Sequence, residues 1–237
     1  MKSLSLPSSV EERLTGWMRI QEARQRVEPA KGKPRPTVTL SRQFGCEGFP
    51  LALRLQVLFQ EAMGEPWHIF DKELLDKVSL DEHISLQLLR HLEEPVRYLE
   101  DFGFHPRGEV TTDQALAKIA VHLLHFAQEG NAIIIGRGGA VVCQKLPNCF
   151  HFRLEAELDW RVASLARRLG ISRREAVERE RAQTRLRDRF IQEYMGADPA
   201  HGTYYDGVFN NGRHTVDEVA AAIFAYVKAG WRGSGFR

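Results

Sequence analysis

Apolar and polar positions follow one another along the chain in an order that predicts strand, turn and helix, repeated. In "TVTLSRQFGCEGFPLALRLQVLF" a β-branched run, Thr37-Val38-Thr39-Leu40, stops at Ser41. A turn carrying Gly45 and Gly48 follows, and Leu51, Leu55, Leu58 and Phe59 then recur at helical spacing. "WHIFD", Trp67 to Asp71, predicts a short strand, with a helix opening near "DKELLDKVS". Residues 82–100 read as helix and 101–110 as a loop with aromatic, Gly and Pro residues. "TTDQALAKIAVHLLHFAQEG" has a threonine-led start, apolar residues at i, i+3 and i+4, and Gly130 as its stop. Ile133, Ile134 and Ile135 precede "GRGG"; such a continuous apolar run suits a strand buried on both faces of a parallel sheet. "NCFHFRL" predicts the next strand and "DWRVASLARRLG" the next helix. Residues 172–196 form a long Arg-rich helical stretch, and "YYDGVFNN" and "TVDEVAAAIFAYVKAG" are the last strand and helix.

Strands alternating with helices predict an α/β domain of three α/β/α layers around a five-stranded, mainly parallel sheet. Ligands of such sheets sit beyond the carboxyl ends of the strands. The residues expected there are Ser41–Gly48, Asp71–Lys72, Gly136–Gly139 and Asn210–Asn211. Residues 1–36 read as an appendage: an amphipathic helix in "SSVEERLTGWMRIQEARQRV", then a stiff basic linker, "EPAKGKPRP". That helix is free to dock on the body, on a partner or on a second copy. The domain proper is expected at 37–229, with a loose tail at 230–237.

Composition changes this picture little. With 237 residues, 43% hydrophobic and 27% charged, the chain is ordinary globular material. A net charge of +2 does not point to nucleic acid. No apolar run approaches the ~20 residues of a spanning helix, so no membrane is expected. The N-terminus lacks the apolar core of a secretory signal. Cys46, Cys143 and Cys149 have no C-x-x-C spacing and read as thiols of a reducing compartment, the cytoplasm.

A strand, a Gly-bearing turn and a helix N-terminus point backbone N–H groups and the helix dipole at one small volume, which suits phosphate. Ser41, Arg42, Gln43, Phe44, Gly45, Cys46 and Gly48 make that turn, although a plain βα connection needs the same glycines. Arg42 offers a guanidinium for bidentate phosphate contact. Arg137 follows the most buried strand, where a charge is costly unless it meets an anion, and Gly136 and Gly138 beside it permit close backbone approach. Asp71 and Lys72 follow the second strand, where Asp71 also reads as a helix cap. Asn210 and Asn211 precede Gly212, a strong turn signal. In the Arg-rich stretch Glu175, Glu178 and Glu180 interleave with the early arginines, which reads as a solvated helix face. "TRLRDRF" differs, with Arg185, Arg187 and Arg189 opposed only by Asp188. His122 and His125 have a metal-compatible spacing but no local third ligand, and no metal site is assigned to protein side chains.

"TLSRQFGCEG", "IFDKELL", "IIIGRGGAVV", the Arg-rich helix ending in "EYMG" and "YDGVFNNGRHTVDEV" together resemble the cytidylate kinase-like family. The resemblance runs from about Thr37 to Lys228. It implies a P-loop nucleoside-monophosphate-kinase fold with a helical lid at about 172–200. ATP and Mg²⁺ are the implied donor system, and a nucleoside monophosphate, CMP or dCMP by default, the implied acceptor. It also implies ATP on the Ser41–Gly48 turn with Asn210 and Asn211 near adenine. Asp71, Lys72, Gly136 and Gly138 would lie around the acceptor, Arg137 on its phosphate, and arginines from among 185, 187 and 189 on the moving phosphoryl group. Several positions depart from the related pattern. Glu47, followed by the apolar pair Phe49-Pro50, stands where much of the family has a Gly-Gly step and a charged stretch, and its carboxylate is a poor neighbour for a triphosphate. Gly48 stands where true cytidylate kinases carry the loop lysine, Pro50 where they carry Ser or Thr, and Thr184 where family members commonly have Asp. A non-catalytic nucleotide- or partner-binding descendant is the alternative that these departures support.

Overall fold

The computed structural model of the chain describes residues 35–74 and 110–231. The helix expected at 8–27, most of the linker, the 82–100 helix, nearly all of the 101–110 loop and the end of the tail lie outside the described residues. The elements in order are β1 (Thr37–Arg42), α1 (Gly48–Met63), β2 (His68–Phe70), α2 (Val110–Glu129), β3 (Ala132–Ile135) and a short α3 (Gly139–Val142). Then come β4 (Cys149–Glu155), α4 (Leu158–Leu169), α5 (Arg173–Met195), a 3₁₀ turn (Gly202–Tyr204), β5 (Gly207–Asn210) and α6 (Val216–Gly230).

The five strands form one sheet in the order β2-β3-β1-β4-β5, and every neighbouring pair is parallel. Parallel neighbours need crossover connections, and the helices supply them. The chain leaves β1 for the β2 edge and later crosses back over β1 to reach β4. The crevice beyond the carboxyl end of β1 therefore lies where the winding changes direction, the usual ligand position in such sheets.

Side-chain alternation gives the sheet two unlike faces. Val38 and Leu40 of β1, Ile133 and Ile135 of β3, and Phe150, Phe152 and Leu154 of β4 share one core with α1 and α6. There α1 buries Leu51, Ala52, Leu55, Phe59 and Met63, one stripe at helical spacing. Phe59 stacks on Trp67 with centroids 4.1 Å apart. Truncating a fully buried residue such as Leu55 to Ala should cost about 2–5 kcal/mol. The opposite face packs Phe70 and Ile134 against α2 and α3, with Phe70 stacked on Phe126 at 4.1 Å. On that face β1 and β4 present Thr37, Thr39 and Ser41 beside His151, Arg153 and Glu155, a polar stripe in the middle of a parallel sheet.

Helix ends follow their sequence signals. Ser172 with Glu175 and Thr215 with Glu218 form capping boxes at the starts of α5 and α6. Left-handed glycines, Gly64, Gly170 and Gly196, end α1, α4 and α5. The last strand is shorter than "YYDGVFNN" suggests, because Gly202–Tyr204 coil into a 3₁₀ turn before β5 begins at Gly207.

Candidate functional site

Beyond β1, the turn Gln43–Glu47 is held from three sides. Gln43 N–H donates to the Leu154 carbonyl at 3.0 Å, and the Gln43 side-chain oxygen accepts from Ala156 N–H at 3.0 Å. From α4, Arg161 Nη1 donates to the Phe44 carbonyl at 3.2 Å and Arg168 Nη2 to the Gly45 carbonyl at 2.6 Å. From the end of β5, Asn211 Oδ1 accepts the Glu47 N–H at 2.6 Å. Gly45, at φ +100°, lies so close to α4 that a Cβ there would stand 2.7 Å from Cβ of Arg161. Arg161 is itself buried in an ion pair with Glu180 of α5, and Glu180 also accepts from Thr184 Oγ1 at 2.8 Å. Loop, α4 and α5 are thus fastened together by one buried cation. The Glu47 carboxylate turns outward to Arg167, 3.8 Å away. Burial pushes the Cys46 thiol up to about 11, which disfavours its thiolate.

The turn beyond β3 is built differently. Gly136, Arg137 and Gly138 are all left-handed, at φ 74°, 54° and 68°. Glycine adopts such angles freely, whereas arginine there costs roughly 1–2 kcal/mol, a strain found mostly at functional sites. The glycines are needed for a second reason. A methyl group on Gly136 would collide with the Arg42 guanidinium, and one on Gly138 with the Met195 side chain. The Arg137 guanidinium lies 5.7 Å from the centre of the Phe190 ring.

Arg42, Arg137 and Arg187 line a cavity of about 450 Å³ beyond the ends of β1 and β3. Arg42 is only partly exposed, and its charged end is hemmed in. Burial, with Arg187 and Arg137 adding repulsion and Asp71 opposing, brings its pKa down to about 9. Burial also lowers Arg187, whose Nη1 is buried without a hydrogen-bond partner and whose guanidinium sits 4.9 Å from the centre of the Phe44 ring. A second cavity of about 930 Å³ lies in front of Gly45, Cys46 and Gly48 and is lined by Arg42, Lys72, Arg168 and Arg187 as well as Asp71 and Glu73. Like-charged groups crowded this way lower one another's stability until an anion arrives between them.

The expected residues divide accordingly. Arg42, Arg137, Arg187, Lys72, Ser41, Gln43, Phe44, Gly136 and Gly138 border the first cavity; Gly45, Cys46, Gly48 and Asp71 border the second. Arg185 and Arg189 are exposed, Arg189 lying 3.5 Å from Glu193. Two residues along a helix turn the side chain by roughly 200°, so Arg187 faces inward and its two neighbours outward. Asp71 Oδ1 caps the backbone N–H of Leu74 at 3.0 Å while facing Arg42. Asn210 Oδ1 accepts the Gly212 N–H at 3.0 Å, closing the turn, and Asn211 holds Glu47 as described. His122 is buried against Phe126 and His125 tilts on the same ring. Among the described residues no group of three His, Cys, Asp or Glu could hold a metal.

Asp188, the acid among the three arginines, also lines the first cavity, as do Arg153, Tyr205 and Asp198, which the expected set does not include. Arg153 had a signal: His151, Arg153 and Glu155 alternate along "CFHFRLE", a polar period of two in a strand that a three-layer fold covers on both sides. Tyr205 and Asp198 had none, since the chain between α5 and β5 brings them there only through the tertiary fold.

The model of the cytidylate kinase-like family matches residues 37–213. Among solved structures, an uncharacterized protein from Eubacterium ventriosum ATCC 27560 aligns with a TM-score of 0.65 at 19% identity, over 82% of this chain and 99% of that one. TT1252 from Thermus thermophilus aligns with a TM-score of 0.42 at 14% identity, over 83% of this chain and 98% of that one. No curated protein matches the chain.

Proposed function

Because the chain belongs to the cytidylate kinase-like family, we propose that it transfers a phosphoryl group from ATP to a nucleoside monophosphate, with CMP or dCMP the default acceptor. The observation that carries this reading is the meeting of Arg42, Arg137 and Arg187 at one cavity, with Arg137 held in a left-handed conformation. Three guanidinium groups suit the oxygens of a phosphate monoester, and bidentate contact fixes its orientation. A phosphate oxygen is already an adequate nucleophile, so no general base is required. Positioning and charge neutralisation supply the catalysis. Arg137 would hold the acceptor phosphate. Arg187, entering from α5, would neutralise charge on the moving group, and Arg42 would stand between the two cavities.

The donor side supports the reading in part. Arg42, Lys72, Arg168 and Arg187 at the second cavity fit a polyphosphate by charge. A Cβ on Gly48 would stand 3.3 Å from Cδ of Arg42, so Arg42 occupies the space toward which a loop lysine would extend. Mg²⁺ fits less well: Pro50 offers no hydroxyl at the head of α1, and the described residues contain no ligating cluster. No step here is routed through a metal.

A second reading, a nucleotide-binding descendant without transfer activity, is favoured by one observation. The Glu47 N–H, which a phosphate cradle would leave open, is already bonded to Asn211. A coupled assay with ATP, Mg²⁺ and each common nucleoside monophosphate separates the two. Turnover that falls at least 30-fold in Arg137→Ala supports transfer. Monophosphate binding without turnover supports the descendant. The absence of both from folded protein removes the proposal.

A further inference from the structure

A parallel sheet covered on both sides calls for apolar residues on both faces, yet one face of β1 and β4 is polar. Most of that stripe is satisfied internally. Thr37 Oγ1 donates to the Ala127 carbonyl at 2.9 Å, and Thr39 Oγ1 pairs with His151 Nδ1 at 2.7 Å. The outermost rung, where Ser41 lies opposite Arg153 in register, opens instead onto the 450 Å³ cavity together with Tyr205. Arg153 Nη1 stands 3.4 Å from Ser41 Oγ and 3.5 Å from the Tyr205 hydroxyl, long distances for a charged donor. The Tyr205 hydroxyl donates to the Pro199 carbonyl at 2.8 Å and lies 3.2 Å from Ser41 Oγ. Tyr205 also stacks its ring under the guanidinium, 5.6 Å from centroid to carbon. Among the described residues the closest partner of Arg153 is the Glu155 carboxylate, 2.6 Å from Nε.

This end of the cavity differs in charge from the end at Arg137. Arg153 is opposed by Glu155 and Asp188, and Asp198 lies near Asp188. Burial pushes the Asp188 carboxyl up, and Asp198 adds to the push while Arg153 resists it. A second anion would meet these carboxylates, and an apolar group would leave the buried guanidinium poorly solvated. The fitting group is neutral and carries an acceptor for Arg153 beside a donor for a carboxylate. A nucleobase edge has that pattern, and about 450 Å³ falls within the usual range of small-ligand sites.

We infer that Ser41, Arg153 and Tyr205 read the base of the nucleotide whose phosphate rests on Arg42, Arg137 and Arg187. This rests on the acceptor reading above and extends it to the opposite end of the same cavity. A site built to hydrogen-bond a base discriminates strongly against a ligand lacking it, because its polar groups are then left unpaired.

The test is calorimetric titration of the full chain with CMP and, separately, with ribose 5-phosphate, using wild type, Tyr205→Phe, Arg153→Gln and Arg137→Ala, with thermal melts as the check on folding. Wild type should bind CMP at least ten-fold tighter than ribose 5-phosphate. Tyr205→Phe should weaken CMP roughly five-fold, and Arg153→Gln more, while ribose 5-phosphate stays within about two-fold. Arg137→Ala should weaken both ligands. Equal wild-type affinity for the two ligands, or CMP binding unmoved in Tyr205→Phe, overturns the inference while leaving the phosphate site standing. Failure of both ligands to bind wild type removes the phosphate site and the inference together. If Arg153→Gln melts early, Tyr205→Phe alone decides.

Discussion

The turn beyond β1 and the turn beyond β3 stand side by side at the same crevice, yet they spend their polar groups in opposite ways. At the first, the carbonyls of Phe44 and Gly45 and the N–H of Glu47 are bonded to Arg161, Arg168 and Asn211. At the second, the backbone is held left-handed through Gly136, Arg137 and Gly138, and a charged side chain is aimed into the cavity. The first turn is tied down by bonds from neighbouring elements; the second is held in a left-handed conformation that sets its arginine at the cavity. The proposed phosphate site is therefore tested more directly at Arg137 than at the glycine turn.

The largest effect should come from breaking the fastening of the first turn. Glu180→Ala strands the buried Arg161 guanidinium and should cost about 3–5 kcal/mol in chemical denaturation. A loss below 1 kcal/mol would mean that the clamp is not structural. Next comes the strained turn. Arg137→Gly should weaken CMP binding by about 30- to 100-fold, the worth of a charge-assisted contact, while raising stability by about 1 kcal/mol through relief of the left-handed residue. Tighter or unchanged binding would contradict the assignment. Asn211→Ala should lower stability by about 1–2 kcal/mol, because it orphans the Glu47 N–H. If that N–H is then free for a phosphate, ATP binding measured by titration should improve in the same variant.

The smallest effect is in pH. Burial and the neighbouring arginines lower the folded pKa of Arg42 to about 9, so above that pH the free protein sheds a proton that the unfolded chain keeps. Below about 9 the full cost of that buried charge is present; it is relieved as pH rises above 9 toward the ordinary arginine range, where stability increases. A bound phosphate favours the charged form. Monophosphate affinity should therefore be flat from pH 7.5 to 8.5 and fall above about 9, by at most ten-fold per pH unit. An unchanged affinity at pH 10 would show that Arg42 does not touch the anion.

Much of the architecture was legible in the sequence because local patterns and tertiary packing agree. Ile133–Ile135 became a strand buried on both faces, and the Leu51–Phe59 spacing became the buried stripe of α1. Strand ends were less legible, as at β5, where Gly202–Tyr204 form a 3₁₀ turn. At the site, Arg137 could be named because a charge after an apolar strand is costly without a purpose. Which of Arg185, Arg187 and Arg189 faces inward depends on how α5 is rotated. That rotation is fastened by Arg161 and Glu180, residues nineteen apart whose pairing no local pattern reveals. Arg153 and Tyr205 were missed because their meeting is set by the register of β1 with β4 and by the path of the chain before β5.

The most direct test of the central claim is titration of CMP into wild type and Arg137→Gly, with a thermal melt of each. The variant should melt higher and bind at least 30-fold more weakly, strain and affinity residing in one residue. A variant that melts lower and binds as wild type would mean that Arg137 serves the fold and the phosphate lies elsewhere.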